Sequence, residues 1–394
     1  MSNPDVFIVS AARTAIGSFG GSLKDVALAD LATTAVKAAL HRSGCDASRV
    51  GHLVMGTVIP SEPQDAYLSR VAAVNAGIPK ESPAFNVNRL CGSGLQAIVS
   101  AAQSLRLGDC DIAVGAGAES MSRGAYLLPG ARWGGRMGDM KAVDYMLGIL
   151  HDPFHNIHMG VTAENIAERM GISRETQDAL ALESQQRAAR AIAEGRFLGQ
   201  IVPVELKTRK GVHLFEVDEH VRGETTLEQL AQMRTAFKRD GTVTAGNASG
   251  LNDGAAAVVM ASATAVQRDG LRPLARLVSY AHAGVEPELM GLGPIPATRL
   301  ALQRAGLKVS DLDVIESNEA FAAQACAVSR ELDFDPAKVN PNGSGISLGH
   351  PVGASGAVIV TKAIHELQRI QGRYALATMC IGGGQGIAAI FERV

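Results

Sequence analysis

Apolar positions along the chain follow two patterns, the continuous runs of buried strands and the spacing of amphipathic helices. SPAFNVN (residues 82–88) predicts a strand, and CDIAVGAG (110–117) predicts a second one. A helix that ends at Gly108 lies between them. Alternating helices and buried strands favour an α/β fold in which helices cover parallel or mixed sheets. The apolar face of this helix consists of Leu95, Ile98, Val99, Ala102 and Leu105.

The same order of elements returns near the C-terminus. AKVNPN (337–342) predicts a strand, ASGAVIVTKAIHELQRIQG (354–372) predicts a helix, and RYALATMC (373–380) predicts a further strand. Each copy has a glycine-rich turn and a potentially reactive side chain near the start of its helix, Cys91 in the first and His350 in the second. We interpret this order as an ancient duplication.

A segment of different composition separates the two copies. From about Ser122 to Ala245 the chain becomes richer in Met, Arg, His and charged side chains, and residues 173–195 predict a long helix. We interpret this segment as an inserted loop domain. The predicted domains are an N-terminal half at 1–121 completed by 246–272, a loop domain at 122–245, and a C-terminal half at 273–394.

Composition excludes several classes of protein. The chain has 394 residues, of which 46% are apolar, and its 37 basic residues nearly balance 39 acidic ones. A net charge of −2 gives no global reason to expect nucleic acid or a membrane surface as partner. The first residues lack the features of a secretory signal, the ending AIFERV carries no peroxisomal or lipidation signal, and the five cysteines are scattered. We expect a reduced, cytoplasmic protein.

Cys91 has two interpretations, a buried small hydrophobe and a nucleophile. A thiol at a helix N-terminus experiences the positive end of the helix dipole, which favours the thiolate. Nearby backbone N–H groups could also bind an oxyanion on the carbonyl that the thiol attacks. Gly92 and Gly94 would let a substrate approach this backbone closely.

Two further side chains could act with Cys91. His350, in a glycine-rich loop fixed by Pro351, could take the proton of the Cys91 thiol. Cys380 ends an apolar strand, where side chains commonly reach the ligand crevice of an open sheet. A dithiol redox pair is the alternative, although the two cysteines lack C-x-x-C spacing.

Six segments together resemble the thiolase family, whose members join or split acyl groups on coenzyme A. The match extends over nearly the whole chain and is most similar to bacterial acetyl-CoA acetyltransferases and β-ketothiolases. The resemblance implies a duplicated five-layer αβαβα architecture with an inserted loop domain. The segments are NRLCGSGLQA (88–97), HMGVTAEN (158–165), TAGNASGLNDGAAA (244–257), NEAFAAQ (318–324), NPNGSGISLGHPVGASGA (340–357) and CIGGGQG (380–386).

The resemblance implies a role for each matching residue. Cys91 would carry the acyl group, His350 would activate it, and Cys380 would move the second proton. Asn318 would hold a water that forms one oxyanion hole with His350, while the N–H groups of Cys91 and Gly382 would form the other. A reversible Claisen condensation passes through two oxyanions, and each needs its own donors.

The resemblance also implies a coenzyme A site with Arg222 toward the adenine nucleotide. Gly223 departs from the histidine that bacterial relatives often have at this position, which puts the coenzyme affinity in doubt. His151, His155 and His158 have near-helical spacing, but Pro153 interrupts them and no ligand set is completed, so we expect no metal. The residues expected beside the pantetheine are Leu150, His158, Met159, Ser249, Met290 and Phe321.

Two alternatives to a thiolase stay open at this point. A ketoacyl synthase would typically need a second histidine where Cys380 stands, and a catalytically silent acyl-CoA- or lipid-binding relative would lack the reactive residues. We expect no bound cofactor, because the glycine strings lack a dinucleotide fingerprint and the coenzyme A thioesters are substrates. The family implies a homotetramer, with 121–140 as a candidate assembly loop, and a role in fatty-acid or polyhydroxyalkanoate metabolism.

Overall fold

The computed structural model describes residues 4–209 and 211–394 of the chain. The helices alternate with strands in both halves, as the apolar pattern predicts. The helices are α1 Leu28–Ser43, α2 Leu68–Asn75, α3 Ser93–Leu107, α4 Tyr145–Ile149, α5 Met159–Met170, α6 Arg174–Ala193, α7 Leu227–Ala231, α8 Ala263–Arg268, α9 Pro294–Ala305, α10 Ala322–Glu331, α11 Gly345–Leu348 and α12 Val352–Ile370.

Most strands belong to one large mixed sheet with the order β15-β16-β17-β14-β1-β13-β5-β3-β4. The two halves join where β1 pairs with β14 over only two residue pairs, Phe7 with Arg276 and Ile8 with Ala275. The strands are β1 Val6–Thr14, β2 Gly17–Ser18, β3 His52–Gly56, β4 Ala84–Val87, β5 Ile112–Ser120, β6 Tyr126–Leu127, β7 Val143–Asp144, β8 His151–Asp152, β9 Ile157–His158, β10 Ile201–Val202, β11 Val204–Thr208, β12 Gly211–Phe215, β13 Asn252–Ser262, β14 Ala275–Gly284, β15 Val314–Ser317, β16 Tyr374–Ile381 and β17 Gln385–Arg393.

Two helices, α3 and α12, occupy the middle of the molecule. They pack against each other, α3 lies on β3 and β5 of the N-terminal half, and α12 touches strands of both halves. Helix α1 covers the outer face of the first half, and α9 covers β14 and β17 of the second. The predicted α/β fold with five αβαβα layers is therefore confirmed.

The repeat is more regular in its helices than in its strands. The predicted helix that ends at Gly108 corresponds to α3, the helix predicted at 354–372 corresponds to α12, and the strand predicted at 373–380 corresponds to β16. The strand predicted at 337–342 is wrong, since this segment forms a single bridge between Ile315 and Val339. Pro341 lacks an N–H group and Asn340 has a positive φ of 44°, so pairing ends after one bridge.

The segment 122–245 differs in architecture from the halves. Helices α5 and α6 are its longest elements, and its strands form two-stranded ribbons apart from β10, which pairs with β1. The exact boundaries of the loop domain stay a prediction. No helix formed by the described residues combines the length and apolar character that a membrane crossing needs.

Candidate active site

Cys91 lies in a strained turn directly before helix α3. Leu90 has a positive φ of 46°, a conformation that costs a residue with a side chain on the order of 1–2 kcal/mol. Asn88 Oδ1 accepts the N–H of Leu90 at 2.9 Å, and Ser93 Oγ accepts the N–H of Arg89, also at 2.9 Å. These bonds hold the turn, so that Cys91 precedes Gly92 at the helix N-cap.

Gly92 and Gly94 allow close packing around Cys91, and the substrate access expected at them stays a prediction. A Cβ on Gly92 would lie 2.5 Å from Ile381 Cδ1, and one on Gly94 would lie 2.7 Å from the backbone N of Ala357. Glycine therefore lets α3 approach β16 and α12 closely. This close approach brings the repeat's two helix starts together.

The Cys91 thiol is held in its neutral form by burial. Burial raises its pKa to about 11, although the N–H groups of Gly382 and of Cys91 itself act in the opposite direction and lower that pKa. The expected preference for thiolate at the helix N-terminus is thus outweighed by desolvation. A base is needed to take the thiol proton, while Gly382 and Cys91 aim their N–H groups at the reacting atom.

His350 is oriented by two hydrogen bonds, one from its backbone and one from its ring. Its N–H donates to Asn252 Oδ1 at 2.9 Å, and its ring Nδ1 lies 2.6 Å from Ser355 Oγ. Since Ser355 donates its only hydroxyl proton to Pro351 O at 2.8 Å, it must accept from Nδ1–H. This tautomer leaves a lone pair on Nε2, which has no hydrogen-bond partner among the described residues.

The charge state of His350 suits a base. Burial lowers the pKa of His350 to about 4, so the imidazole is neutral at physiological pH. Cys91 and His350 are therefore both neutral before substrate arrives. Proton transfer from Cys91 to His350 becomes favourable only as the sulfur bonds to a carbonyl carbon, because the negative charge then moves from the sulfur to the carbonyl oxygen.

Cys380 lies near the end of β16, as the sequence predicts, and its side chain is buried. Burial and the neighbouring Cys91 thiol raise the pKa of Cys380 well above the ordinary value. All five cysteines are free in the structure. Cys380 packs in an apolar cluster with Met159, Met290 and Phe321.

Asn318 follows strand β15 and is buried. Its N–H donates to Thr378 O at 3.0 Å on the strand that carries Cys380. Its side-chain Nδ2 has no protein partner within the described part of the chain, which leaves a buried donor free for a ligand.

Gly382 lies next to Leu90 and Met159. A Cβ placed on this glycine would be 3.3 Å from Leu90 Cδ1 and 3.5 Å from Met159 Sδ.

Main-chain hydrogen bonds connect several of the residues expected beside the pantetheine. Met159 donates its N–H to Leu150 O at 2.7 Å, and Leu150 packs in a second apolar cluster that includes Cys91. Ser249 donates its N–H to Ala320 O at 2.9 Å, directly before Phe321. Apolar walls with a few polar groups suit a long, thin ligand.

His158 caps helix α5 and faces an aromatic ring that the sequence analysis missed. Its Nδ1 accepts the N–H of Gly160 at 3.0 Å, and its ring stacks on Phe237 with centroids 4.6 Å apart. Burial lowers the pKa of His158. Phe237 also meets Phe321 edge-on at 6.2 Å, so it links two predicted pantetheine residues.

Arg222 lies at the surface, apart from the two cysteines. Its guanidinium donates to the carbonyl oxygens of Glu219 and Val221, and its N–H donates to Gln185 Oε1 at 2.7 Å. The exposed side chain is free to turn toward an anionic ligand. Gly223 lies against α6, since a Cβ there would be 2.9 Å from Ala189 Cβ.

His151, His155 and His158 do not converge on one point. His155 pairs with Asp152 at 3.0 Å and Glu288 at 3.5 Å. His151 and His158 are opposite each other in the β8–β9 ribbon, with ring centroids 5.2 Å apart. Among residues 4–209 and 211–394 no group of three or more His, Cys, Asp or Glu side chains is arranged to hold a metal ion.

Comparison with known proteins decides the family. Sequence profiles of the thiolase N-terminal domain and the thiolase C-terminal domain match residues 6–264 and 271–393. The chain belongs to the thiolase family. Its members are acyltransferases that act on coenzyme A thioesters, and the chain is such an enzyme.

Individual relatives agree with this assignment along the whole thiolase chain. The chain is 66% identical to beta-ketothiolase BktB of Cupriavidus necator, with 99% of both chains covered. It is 49% identical to an acetyl-CoA acetyltransferase of Pseudomonas aeruginosa, again with 99% of both covered. Human mitochondrial 3-ketoacyl-CoA thiolase, solved in complex with CoA, superimposes with a TM-score of 0.97 at 46% identity, covering 99% of this chain and 98% of that one.

The sequence analysis missed three polar residues that support this thiolase site. Ser355 and Asn252 orient His350, and Glu119 accepts the N–H of Gly353 at 2.8 Å in the first turn of α12. Ser355 lies inside the quoted NPNGSGISLGHPVGASGA segment, five residues after His350, so its spacing was a usable signal. Asn252 lies inside the quoted TAGNASGLNDGAAA segment, but both it and Glu119 are distant from His350 in sequence, so no local pattern indicates their contacts with this loop.

Proposed function

We propose that this thiolase transfers acyl groups through a thioester on Cys91, in reversible Claisen condensation of acetyl-CoA with an acyl-CoA and in thiolysis of 3-ketoacyl-CoA. One arrangement carries the proposal: the helix start beside Cys91 packs closely on α12, which follows His350, and on Ile381, which follows Cys380, and the N–H groups of Cys91 and Gly382 lower the pKa of the Cys91 thiol. Such donors stabilise an oxyanion on a carbonyl that bonds to this sulfur.

Acylation begins with both Cys91 and His350 neutral. His350 Nε2 takes the thiol proton of Cys91 while the sulfur bonds to the thioester carbonyl carbon. The tetrahedral intermediate places its oxyanion toward the N–H groups of Cys91 and Gly382. Collapse breaks the bond to the coenzyme sulfur, which takes the proton of the Cys380 thiol and leaves as the free thiol, while His350 keeps the Cys91 proton on Nε2.

Condensation uses the second cysteine as base. The Cys380 thiolate takes an α-proton from acetyl-CoA, and the enolate carbon then attacks the acyl carbon on Cys91. Collapse of this adduct breaks the bond between that carbon and the Cys91 sulfur, which takes its proton back from His350. A raised pKa makes the Cys380 thiolate a stronger base, which suits a weakly acidic carbon, but it also makes the thiolate scarce. Donors from His350 and from a water held by Asn318 Nδ2 lower the cost of the enolate as it forms.

The coenzyme arm lies along the apolar walls in this proposal. Leu150, Met159, Met290 and Phe321 contact the pantetheine, while His158 and Ser249 supply its polar contacts. Arg222 meets the adenine nucleotide from the surface. The proposed reaction needs no bound cofactor, and the coenzyme A thioesters are its substrates.

Cleavage of 3-ketoacyl-CoA tests the proposal and its alternatives. The absorbance of the 3-ketoacyl-CoA enolate should fall on addition of enzyme and free coenzyme A, and Cys91→Ser should abolish the change. A silent binding relative would bind coenzyme A without cleavage. A ketoacyl synthase would condense an acyl group with a malonyl thioester and release carbon dioxide.

The assembly and cellular setting are part of the same proposal. We propose a homotetramer, with the loop at 121–140 as assembly surface, because Trp133 is 87% exposed and Met137 is 96% exposed. We further propose a cytoplasmic enzyme that supplies or degrades short acyl chains, in polyhydroxyalkanoate or fatty-acid metabolism. Sedimentation of the purified chain tests the assembly directly.

A further inference from the structure

A buried carboxylate, Glu119, lies beside the site without a role in the chemistry described above. It ends β5 next to Ser120, and its side chain is fully buried. Glu119 Oε2 accepts the N–H groups of Gly353 at 2.8 Å and Val58 at 3.2 Å, and Oε1 accepts that of Ile59 at 3.0 Å. Within the described chain, no Lys or Arg neutralises it, so main-chain dipoles alone hold the carboxylate.

The N–H of Gly353 belongs to the helix that follows the proposed base. Gly353 is the second residue of α12 and comes three residues after His350. The N-cap residue Pro351 has no polar side chain, so the acceptor for this helix end comes from another strand. An acidic group at a helix N-terminus is stabilised by the helix dipole, and it fixes the helix end in return.

The other two N–H groups belong to Val58 and Ile59, which pack in the same apolar cluster as Cys91. Both residues follow strand β3 and form a wall beside Cys91. Glu119 therefore connects the first turn after His350 to the wall beside Cys91. A Cβ on Gly353 would lie 2.7 Å from Glu119 Oε2, so the glycine permits this approach.

We propose that Glu119 is a positioning residue of acyl transfer, whose carboxylate holds the start of α12, and with it His350, against the Val58–Ile59 wall beside Cys91. This inference rests on the proposed roles of Cys91 and His350. Glu119 touches neither substrate nor the reacting atoms. It acts by fixing the separation between nucleophile and base, on which proton transfer depends steeply.

The charge of Glu119 gives the proposal a second readout. Asp65, from the turn Pro63–Tyr67, and Cys91 are the ionisable groups that interact with it electrostatically. Burial raises the pKa of Glu119 to about 8, although its three N–H donors favour the ionised form, and above that pH its negative charge raises the pKa of the Cys91 thiol. Removing that charge should lower the pKa of Cys91, which a purely structural role would not do.

Glu119→Gln is the test, with Glu164→Gln as its matched control. An amide offers one acceptor oxygen, so at least one of the three N–H groups loses its partner. Glu164 is also buried and accepts main-chain N–H groups, from Thr242 and Val243, away from α12. The measurements are the rate of Cys91 acetylation at saturating acetyl-CoA, the KM, and the pH profile of Cys91 alkylation by iodoacetamide.

We expect Glu119→Gln to acetylate Cys91 on the order of tenfold more slowly or worse, with KM little changed. Its alkylation profile should shift to lower pH, while that of Glu164→Gln should not. Glu119→Asp keeps the charge but shortens the reach, so it should slow acetylation without this shift, and it replaces the glutamine variant if that one fails to fold.

An unchanged acetylation rate in Glu119→Gln, or equal losses in both glutamine variants with no shift in alkylation, would overturn the inference. Failure of the unmodified enzyme to acetylate Cys91 would instead overturn the proposed function. The alkylation profiles would then still decide whether Glu119 acts on Cys91.

Discussion

Substitution of Ser355 would disturb the orientation of His350 without removing any group that reacts with the substrate. Its hydroxyl donates to Pro351 O at 2.8 Å and accepts from His350 Nδ1 at 2.6 Å, which fixes the tautomer that leaves Nε2 basic. In Ser355→Ala the buried Nδ1–H loses its acceptor. An unpaired buried donor costs about 1–3 kcal/mol, and each 1.4 kcal/mol is about tenfold in an equilibrium.

The expected result is a fall in kcat/KM of about 10- to 100-fold, because the competent orientation of His350 becomes rarer. The KM for coenzyme A should change little, since Ser355 is not among the residues proposed to contact it. Initial rates of 3-ketoacyl-CoA thiolysis and the rate of Cys91 acetylation measure the two effects.

Thr361→Val is the matched control for this variant. Thr361 is buried on the same helix and donates its hydroxyl to Ala357 O at 2.9 Å, four residues back, as Ser355 does to Pro351. Both variants lose such a bond, but only one loses a contact with His350. If Ser355→Ala kept the full rate, or lost no more activity than Thr361→Val, the tautomer argument would be wrong.

Three other predictions follow from the same geometry. Cys380→Ser should still be acetylated at Cys91 yet turn over very slowly, and lack of label in that variant would contradict the separate roles of the cysteines. Phe237→Ala should raise the KM for coenzyme A several-fold with a smaller effect on kcat, because it removes the ring stacked on His158; an unchanged KM would argue against a pantetheine site here. The lowered pKa of His350 means that the unfolded chain binds more protons between about pH 6.5 and 4, so stability falls as pH falls through this range. Urea denaturation should show a shallower fall for His350→Asn, by roughly 3 kcal/mol at most, and identical pH slopes would refute the shifted pKa.

Local pattern was enough to predict most of the fold. Helix α3 follows its apolar spacing and ends at Gly108, where φ is +80°, and α12 repeats this arrangement in the second half. The strand expected at 337–342 was wrong because apolar pattern does not report the turn conformation of Asn340. The spacing of apolar residues identifies helices and strands, but it does not show where pairing between two neighbouring strands stops.

The sequence predicts a site residue only where a reactive side chain lies within a recognisable local motif. Cys91, His350 and Cys380 stand beside glycine turns at element ends, so the repeat and the family motifs point to them. Phe237 and Glu119 reach the site from distant parts of the chain, and only the folded contacts identify them. The thiol pKa was misjudged for the same reason, since desolvation depends on the whole surroundings of the sulfur.

The central claim is that Cys91 carries the acyl group. Intact-protein mass spectrometry after brief exposure to acetyl-CoA, followed by peptide mapping, tests it most directly, with Cys91→Ser as control. We predict one added acetyl group per chain, located on the peptide that contains Cys91 and absent from the variant. An acetyl group on Cys380, or equal labelling of the Cys91→Ser variant, would contradict the account.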